Sequence, residues 1–281
     1  MDKQSLTLKL AAERNRFRLM EIIRNAKAGH TGGDLSCLNV LTVLYERYLH
    51  IDKDHLDDPE RDRFILSKGH CAEALYAVLE SRGILSKDVV DSLGHLGSPL
   101  AGHPLHEIPG IEINSGALGH GLSIGIGMAL AARMDQRAYR TVVLMGDGEQ
   151  AEGSIYEAAM AASHYHLGNL IAIIDRNMLQ ISGCTEDVMA LENMRDRWTA
   201  FGWEVIETDG NDPAAILATL EALDTTAARP HLIISHTTKG YGVSYMEGVA
   251  KWHHGVPDEA QYAQAREEIT RRINELEEEL R

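Results

Sequence analysis

The chain has little of several features that commit a protein to a class. Only three cysteines, Cys37, Cys71 and Cys184, occur in 281 residues. They are scattered and odd in number, which argues against a disulfide framework or a zinc cluster and leaves reduced, buried thiols as the expectation. No run of about eighteen apolar residues exists, so no membrane span is expected. The opening residues, MDKQSLTLKLAAERNRF, are polar and charged and lack the apolar core of a secretory signal. A cytoplasmic protein is therefore expected. Positive charge is scarce: 27 Lys and Arg stand against 42 Asp and Glu, a formal net charge of −15. Without a basic patch, neither nucleic acid nor an anionic membrane is expected as a partner. An anionic ligand must be held by local features against the global field. There is no Pro/Ser-rich linker, repeat or low-complexity segment, and a chain of this length can bury a substantial core. One domain over residues 1–281 is the expectation.

What is present is a run from Gly146 to Asn177, GDGEQAEGSIYEAAMAASHYHLGNLIAIIDRN. The preceding TVVLM, Thr141 to Met145, and LIAII, Leu170 to Ile174, are short apolar, β-branched runs. Both read as buried parallel strands, with Asp147 and Asn177 where they emerge. The carboxyl ends of such strands are where open α/β sheets bind ligands. Gly146 and Gly148 let the chain turn sharply beside a bulky anion. A helix opening near Glu152 and closing at Gly168 offers its first N–H groups to phosphate. One carboxylate and one amide make a sparse cage, which suits Mg²⁺, a cation usually held by one or two protein groups plus phosphate oxygens.

The remaining pattern alternates strand and helix. Helices are expected over Leu6 to Lys27, Leu35 to Leu49, Cys71 to Arg82 (closed by Gly83), Ile124 to Arg133 and Pro213 to Leu223; strands over Arg63 to Ser67, Trp203 to Gly210 and His231 to Thr238. This alternation implies an α/β fold, doubly wound, with a mostly parallel sheet and helices on both faces. The tail from Asp258 to Arg281 reads as a charged helix with Ile269, Ile273, Leu276 and Leu280 along one side, able to dock on the domain or on a partner.

Four loops set histidine beside glycine or proline: AGHTGG (Ala28 to Gly33), LSKGH (Leu66 to His70), AGHP (Ala101 to Pro104) and WHHGVP (Trp252 to Pro257). One such histidine alone is ordinarily structural. Four loops at element ends point to one place, and imidazole suits both phosphate binding and proton transfer near neutral pH. Zinc is the competing reading, but these spacings lack a helical HxxxH pair or a partnering cysteine pair.

The GDG turn followed by asparagine after about thirty residues is similar to the signature of enzymes that bind thiamine diphosphate with Mg²⁺. The blocks GHTGG, DRFILSKGHCAEALYAVL, GHPLHEIPGIEINSGALGHGLSIGIGMA, GDGEQAEG, IDRN and HTTKGYG resemble transketolase, in its order, from about Lys9 to Pro257. The resemblance covers the family's amino-terminal, diphosphate-binding domain. It implies the amino-terminal subunit of a split transketolase, a transferase of carbohydrate metabolism of the pentose phosphate kind. The partner it implies is a carboxy-terminal subunit carrying the pyrimidine-binding domain, assembled as α₂β₂, with sugars as substrates.

Roles carry over residue by residue. The resemblance implies that Asp147, Asn177 and the backbone carbonyl of Leu179 ligate Mg²⁺, that Gly148 lies against the diphosphate, and that His70 hydrogen-bonds a phosphate. The backbone of Gly116, Ala117 and Leu118 would meet the aminopyrimidine. His30 would face the reacting hydroxyls and His103 the donor's terminal hydroxyl. His254 would contact both substrate and diphosphate, with adjacent His253 as the alternative. Glu152 matches a buried acid that couples paired active sites; a first-turn helix acid is its plain alternative. The implied chemistry is transfer of a two-carbon ketol unit from a ketose to an aldose, the cofactor supplying the electron sink and a histidine accepting and returning the proton. Three residues depart from the usual pattern, Thr31, Asp34 and His120, and they leave substrate preference open. A specialised ketose, sulfonated or branched, remains an alternative. So do a 1-deoxyxylulose-phosphate synthase, a 2-oxoacid dehydrogenase subunit, and a non-catalytic cofactor-binding paralogue.

Overall fold

The computed structural model describes residues 2–281. Ten α-helices run over α1 Lys3–Ala26, α2 Thr31–Val43, α3 Ala72–Ser81, α4 Lys87–Asp91, α5 Gly121–Met134, α6 Gly153–His164, α7 Thr185–Val188, α8 Met194–Ala200, α9 Pro213–Glu221 and α10 Glu259–Glu279. Five strands, β1 Arg63–Leu66, β2 Thr141–Gly146, β3 Leu170–Arg176, β6 Glu204–Asp209 and β7 His231–His236, form one sheet in the order β1-β2-β3-β7-β6; β4 Leu179–Gln180 and β5 Gly183–Cys184 pair as a small hairpin. All pairings in the large sheet are parallel.

Alternation along the strands divides the core in two. Phe64, Leu66, Val142, Leu144, Ile171, Ile173 and Ile233 point to a layer made by α1, α2, α3, α9 and α10. Ile65, Val143, Met145, Ala172, Ile174, Leu232 and Ile234 point to the opposite layer of α5, α6 and α8. The doubly wound α/β reading thus holds. Because β2 and β3 are buried along their whole length, only their carboxyl ends are open to a ligand.

The ends of the helices are set by local chemistry. The Asp2 side chain accepts from the Ser5 N–H at 2.7 Å to start α1, and Asp212 followed by Pro213 starts α9. A reciprocal Asp258 and Gln261 capping box starts α10. The tail docks on this domain: Tyr262, Ala265 and Ile269 are buried, and Arg24 meets Glu259 at 2.7 Å while Arg14 meets Glu277 at 2.8 Å.

Three sequence expectations need correction. The second helix starts at Thr31, not Leu35, and passes into a π-turn over Leu44–Tyr48. Glycine-poor propensity rules hid this start; the N–H groups of Gly33 and Asp34 close onto the His30 carbonyl at 2.9 and 3.0 Å. The helix after the GDG turn opens where expected, with Glu152 as its N-cap, but a 3₁₀ turn over Gly148–Ala151 stands before it. That turn, rather than the N-terminus of the helix, meets the ligand cavity. Cys37 and Cys71 are buried, but Cys184 is partly exposed in the hairpin, so burial does not hold for all three thiols.

Candidate active site

A cavity of about 340 Å³ opens at the carboxyl ends of the strands. The turn after β2 supplies Gly146, Asp147, Gly148 and Glu149; the segment after β3 supplies Asn177, Leu179, Gln180, Ile181 and Ser182. Lys68 and His70 follow β1, Lys239 follows β7, and His30 stands at the start of α2.

One side carries oxygen donors. Asp147 is 2% exposed. Its Oδ1 accepts from the Gly148 N–H at 2.7 Å, and its Oδ2 accepts from the Met178 N–H at 2.7 Å. Burial, with Asp175 nearby, raises its pKa, against the pull of these N–H groups and Arg176. Asn177 donates from Nδ2 to Asp175 at 3.1 Å, which fixes its amide, and its Oδ1 accepts from the Leu179 N–H at 3.1 Å. The Leu179 carbonyl points at a cation already, accepting from Lys239 Nζ at 3.1 Å. Carboxylate, amide and carbonyl are hard oxygen donors of the kind Mg²⁺ takes.

Asp175 anchors this side from beneath. Fully buried, it accepts from Lys68, from the Thr237 hydroxyl, and from the Ser36 hydroxyl at 2.6 Å. Burial alone would raise its pKa, but the Lys68 ammonium and these donors hold it below the usual carboxylate value.

The other side carries histidines and lysines. The His30 ring lies 5.3 Å from His70, 5.9 Å from His103, 5.8 Å from His253 and 4.9 Å from His254, centroid to centroid. His253 stacks on His70 at 5.4 Å and accepts from Lys239 Nζ at 2.8 Å. Burial first, then neighbouring His254, His103 and the lysines, lowers the His30 pKa to about 4. Burial and Lys68 push His70 well below its ordinary value. Burial, then Lys68, brings Lys239 down to about 8. Two cations and several neutral imidazoles facing one cavity match an anion such as a diphosphate, which restores the charge that burial disfavours.

Backbone geometry brings the histidine loops together. The Thr31 hydroxyl donates to the Gly255 carbonyl at 2.6 Å, and Gly255 N–H donates to Gly29 at 3.2 Å. The 252–257 loop is thereby tied to the start of α2, and the departure at Thr31 acquires a role in placing His30 beside His253 and His254. Gly116 has φ +132°, and a Cβ there would lie 2.7 Å from Cδ2 of His103; only glycine lets that ring close over the loop. Asp34 is fully buried and accepts from the Ala74 N–H at 3.0 Å, holding the start of α3.

Of the residues singled out from the sequence, His30, His70, Gly116, Leu118, Asp147, Gly148, Asn177 and Leu179 line the cavity. His103 and His254 do not line it, although both reach the His30 ring. His253 lines it instead of His254, which is exposed. Ala117 is exposed beside the cavity, and Glu152 is exposed and away from it. The buried acid is Glu149, which accepts from the N–H groups of Gly119 at 2.8 Å and Gly146 at 3.0 Å and from the Ser67 hydroxyl. It joins the 116–119 loop to the GDG turn. Reasoning from sequence also passed over Lys68, Asp175, Arg176 and Lys239. The lysines carried a visible signal: each stands directly before glycine in a loop that follows a strand, in LSKGH and HTTKGYG.

Strand ends with hard oxygen donors, facing cations and imidazoles, form a polar cavity suited to an anionic ligand on a doubly wound sheet. The family pattern described as "Transketolase, thiamine diphosphate binding domain" matches residues 7–274, and the chain belongs to the transketolase family. It is 62% identical over 97% of both chains to an apulose-4-phosphate transketolase subunit of Phocaeicola vulgatus. It is 39% identical, over 90% of this chain and 92% of the relative, to the "6-deoxy-6-sulfo-D-fructose transketolase subunit SqwG" of a Clostridium species. The crystal structure of Campylobacter jejuni transketolase matches at a TM-score of 0.90 and 32% identity, covering 96% of this chain and 43% of that one. The chain thus spans less than half the length of that solved transketolase. It is a transketolase subunit of the split, amino-terminal type, and relatives that are themselves named as one subunit of a transketolase imply a second kind of subunit.

Proposed function

We propose that the chain is the diphosphate- and metal-binding half of a ketol transferase, acting on a specialised phosphorylated ketose with a carboxy-terminal partner in an α₂β₂ assembly in the cytoplasm. The observation that carries this reading is the single cavity in which Asp147, Asn177 and the Leu179 carbonyl face Lys68, Lys239 and the histidines. Asp147, Asn177 and the Leu179 carbonyl would hold Mg²⁺, and thiamine diphosphate, once bound, supplies the electron sink for breaking a carbon–carbon bond next to a carbonyl. Gly148 leaves room for the diphosphate, and His70 and Lys239 donate to its oxygens. The backbone of residues 116–118 receives the aminopyrimidine.

The chain's own proton traffic runs through its histidines. His30, held neutral by burial and cationic neighbours, has a free nitrogen to accept a substrate hydroxyl proton and return it in the reverse direction. An anion bound among the lysines raises its basicity toward the working pH. His103 orients the terminal hydroxyl of the donor. His253, lining the cavity, takes the diphosphate side, and exposed His254 the substrate side. Glu152, exposed here, is available to a neighbouring chain as the coupling acid.

Identity with the two apulose-4-phosphate transketolase relatives, 62% and 43%, exceeds the 39% with the sulfofructose one, which favours apulose 4-phosphate as donor or product over a sulfonated sugar. The test is reconstitution: chain and partner together transfer ketol units with thiamine diphosphate and Mg²⁺, and this chain alone does not. Robust transfer by the purified chain alone would refute the two-subunit reading, and preference for a sulfonated ketose would refute the phosphate assignment.

A further inference from the structure

Arg176 takes no part in the reaction outlined above, yet it occupies a costly position. Its side chain is 1% exposed and faces three carboxylates. One terminal nitrogen lies 3.3 Å from Asp147 Oδ2; the other donates to Glu192 at 2.8 Å and to Glu186 at 2.5 Å. A buried guanidinium is tolerated only when its fork is paired, and its rigid, planar geometry fixes whatever it pairs with.

The partners are not equivalent. Glu186 and Glu192 belong to the segment that leaves the cavity, and Glu186 also accepts from the Leu191 N–H at 3.1 Å and the Glu192 N–H at 3.4 Å. Asp147 stands at the end of β2. Its Oδ2 receives Arg176, the Met178 N–H at 2.7 Å and the Thr185 hydroxyl at 3.5 Å. Its Oδ1 receives only the Gly148 N–H. One oxygen is therefore bound from the side of the 178–192 segment, and the other is left with coordinating capacity.

We infer that Arg176 is a positioning residue for the cation site. It turns Asp147 so that Oδ2 is held by the protein and Oδ1 is presented to the metal. With the other limb of its fork it clamps the 178–192 segment, which carries the Leu179 carbonyl, so that two of the three oxygen donors are set by one guanidinium. The inference rests on the metal reading given above. It adds that the site's affinity depends on a residue that touches neither metal nor cofactor, as outer partners of ligand carboxylates commonly do at about 10–100-fold.

The test uses the full chain, with Mn²⁺ as the metal probe in the presence of thiamine diphosphate, free Mn²⁺ being followed by electron paramagnetic resonance. R176K keeps the charge, but one ammonium cannot span Asp147 and both glutamates. It is expected to weaken Mn²⁺ binding by about tenfold while the circular dichroism spectrum stays that of the wild type. The double variant E186Q/E192Q removes the two charges of the clamp and leaves Arg176 its contact with Asp147. It is expected to speed amide hydrogen exchange at Thr185 and Met189, whose N–H groups bond carbonyls within the segment rather than either glutamate, measured without ligands, and to weaken Mn²⁺ less than R176K does. Mn²⁺ affinity of R176K within about twofold of the wild type, well short of the usual outer-partner effect, overturns the inference. Equal losses in the two variants overturn the role at Asp147. Unchanged exchange in the double variant overturns the clamp, and that arm stands even if R176K fails to fold. Absence of Mn²⁺ binding by the wild-type chain is a different outcome: it removes the metal reading and this inference with it.

Discussion

Lys239 Nζ lies 2.8 Å from Nδ1 of His253 and 3.1 Å from the carbonyl oxygen of Leu179. One ammonium therefore bridges the histidine side of the cavity and its oxygen-donor side. The contact requires His253 to be neutral at Nδ1, and burial followed by Lys239 itself holds that imidazole down to about 3. The lysine bears a matching cost, with its own pKa at about 8.

Diphosphate binding should follow the charge of Lys239. An anion binds the protonated lysine best, so affinity is full below about pH 8 and falls as pH rises through that value. The slope should approach about tenfold per pH unit until the pKa of the bound state is reached. Calorimetric titration with thiamine diphosphate and Mg²⁺ between pH 7 and 9 measures it. Lys239→Met should bind more weakly and without this slope; a flat wild-type profile counts against the assignment.

Stability should depend on pH through the buried imidazoles. His30 and His253 have folded values of about 4 and 3 against an ordinary 6.5. As pH falls below about 6.5 the unfolded chain takes up protons that the folded chain refuses, so stability is full above that value and is lost progressively toward pH 4. The melting temperature of the wild type should drop over this window, and that of His253→Gln should drop less. Equal losses in both would show that His253 does not bear the burden.

Asp147→Ala should abolish Mg²⁺-dependent cofactor binding and preserve the fold. Removing one member of a buried charge pair costs about 2–5 kcal/mol of binding, which is enough to lose a weak cation. Isothermal titration beside circular dichroism separates the two effects, and unchanged cofactor affinity would remove Asp147 from the metal site.

Gly116→Ala should impair turnover through His103. The added methyl meets Cδ2 of that ring at 2.7 Å, at a backbone angle of φ +132°, and a side chain at such an angle costs more than about 1 kcal/mol. In the reconstituted enzyme kcat should fall with little loss of diphosphate affinity. A variant with normal kcat would show that the position of His103 is not critical.

Much of the site was legible before folding. Asp147, Asn177 and Gly148 stand at the ends of apolar runs whose period and length mark buried strands, so their meeting follows from local pattern alone. His30 and His70 are flagged by flanking glycines. Which of His253 and His254 lines the cavity was not legible, because neighbouring residues in an irregular loop can face either way. It is decided by Thr31 and Gly29, which grip Gly255 from more than two hundred residues away. Glu152 attracted notice for its place in the pattern, whereas Glu149 became the buried acid because the 3₁₀ turn at Gly148–Ala151 rotates it inward.

By itself, then, the sequence determined the layered α/β fold, the strand ends that carry the donors, and the family. These rest on periodicity and short-range chemistry, which the chain carries at every point. Tertiary structure alone decided which charges meet: Lys68 with Asp175, Arg176 with Asp147, Lys239 with His253. Buried charges are stable only beside their partners, and those partners come from separate strand ends that no local pattern brings together.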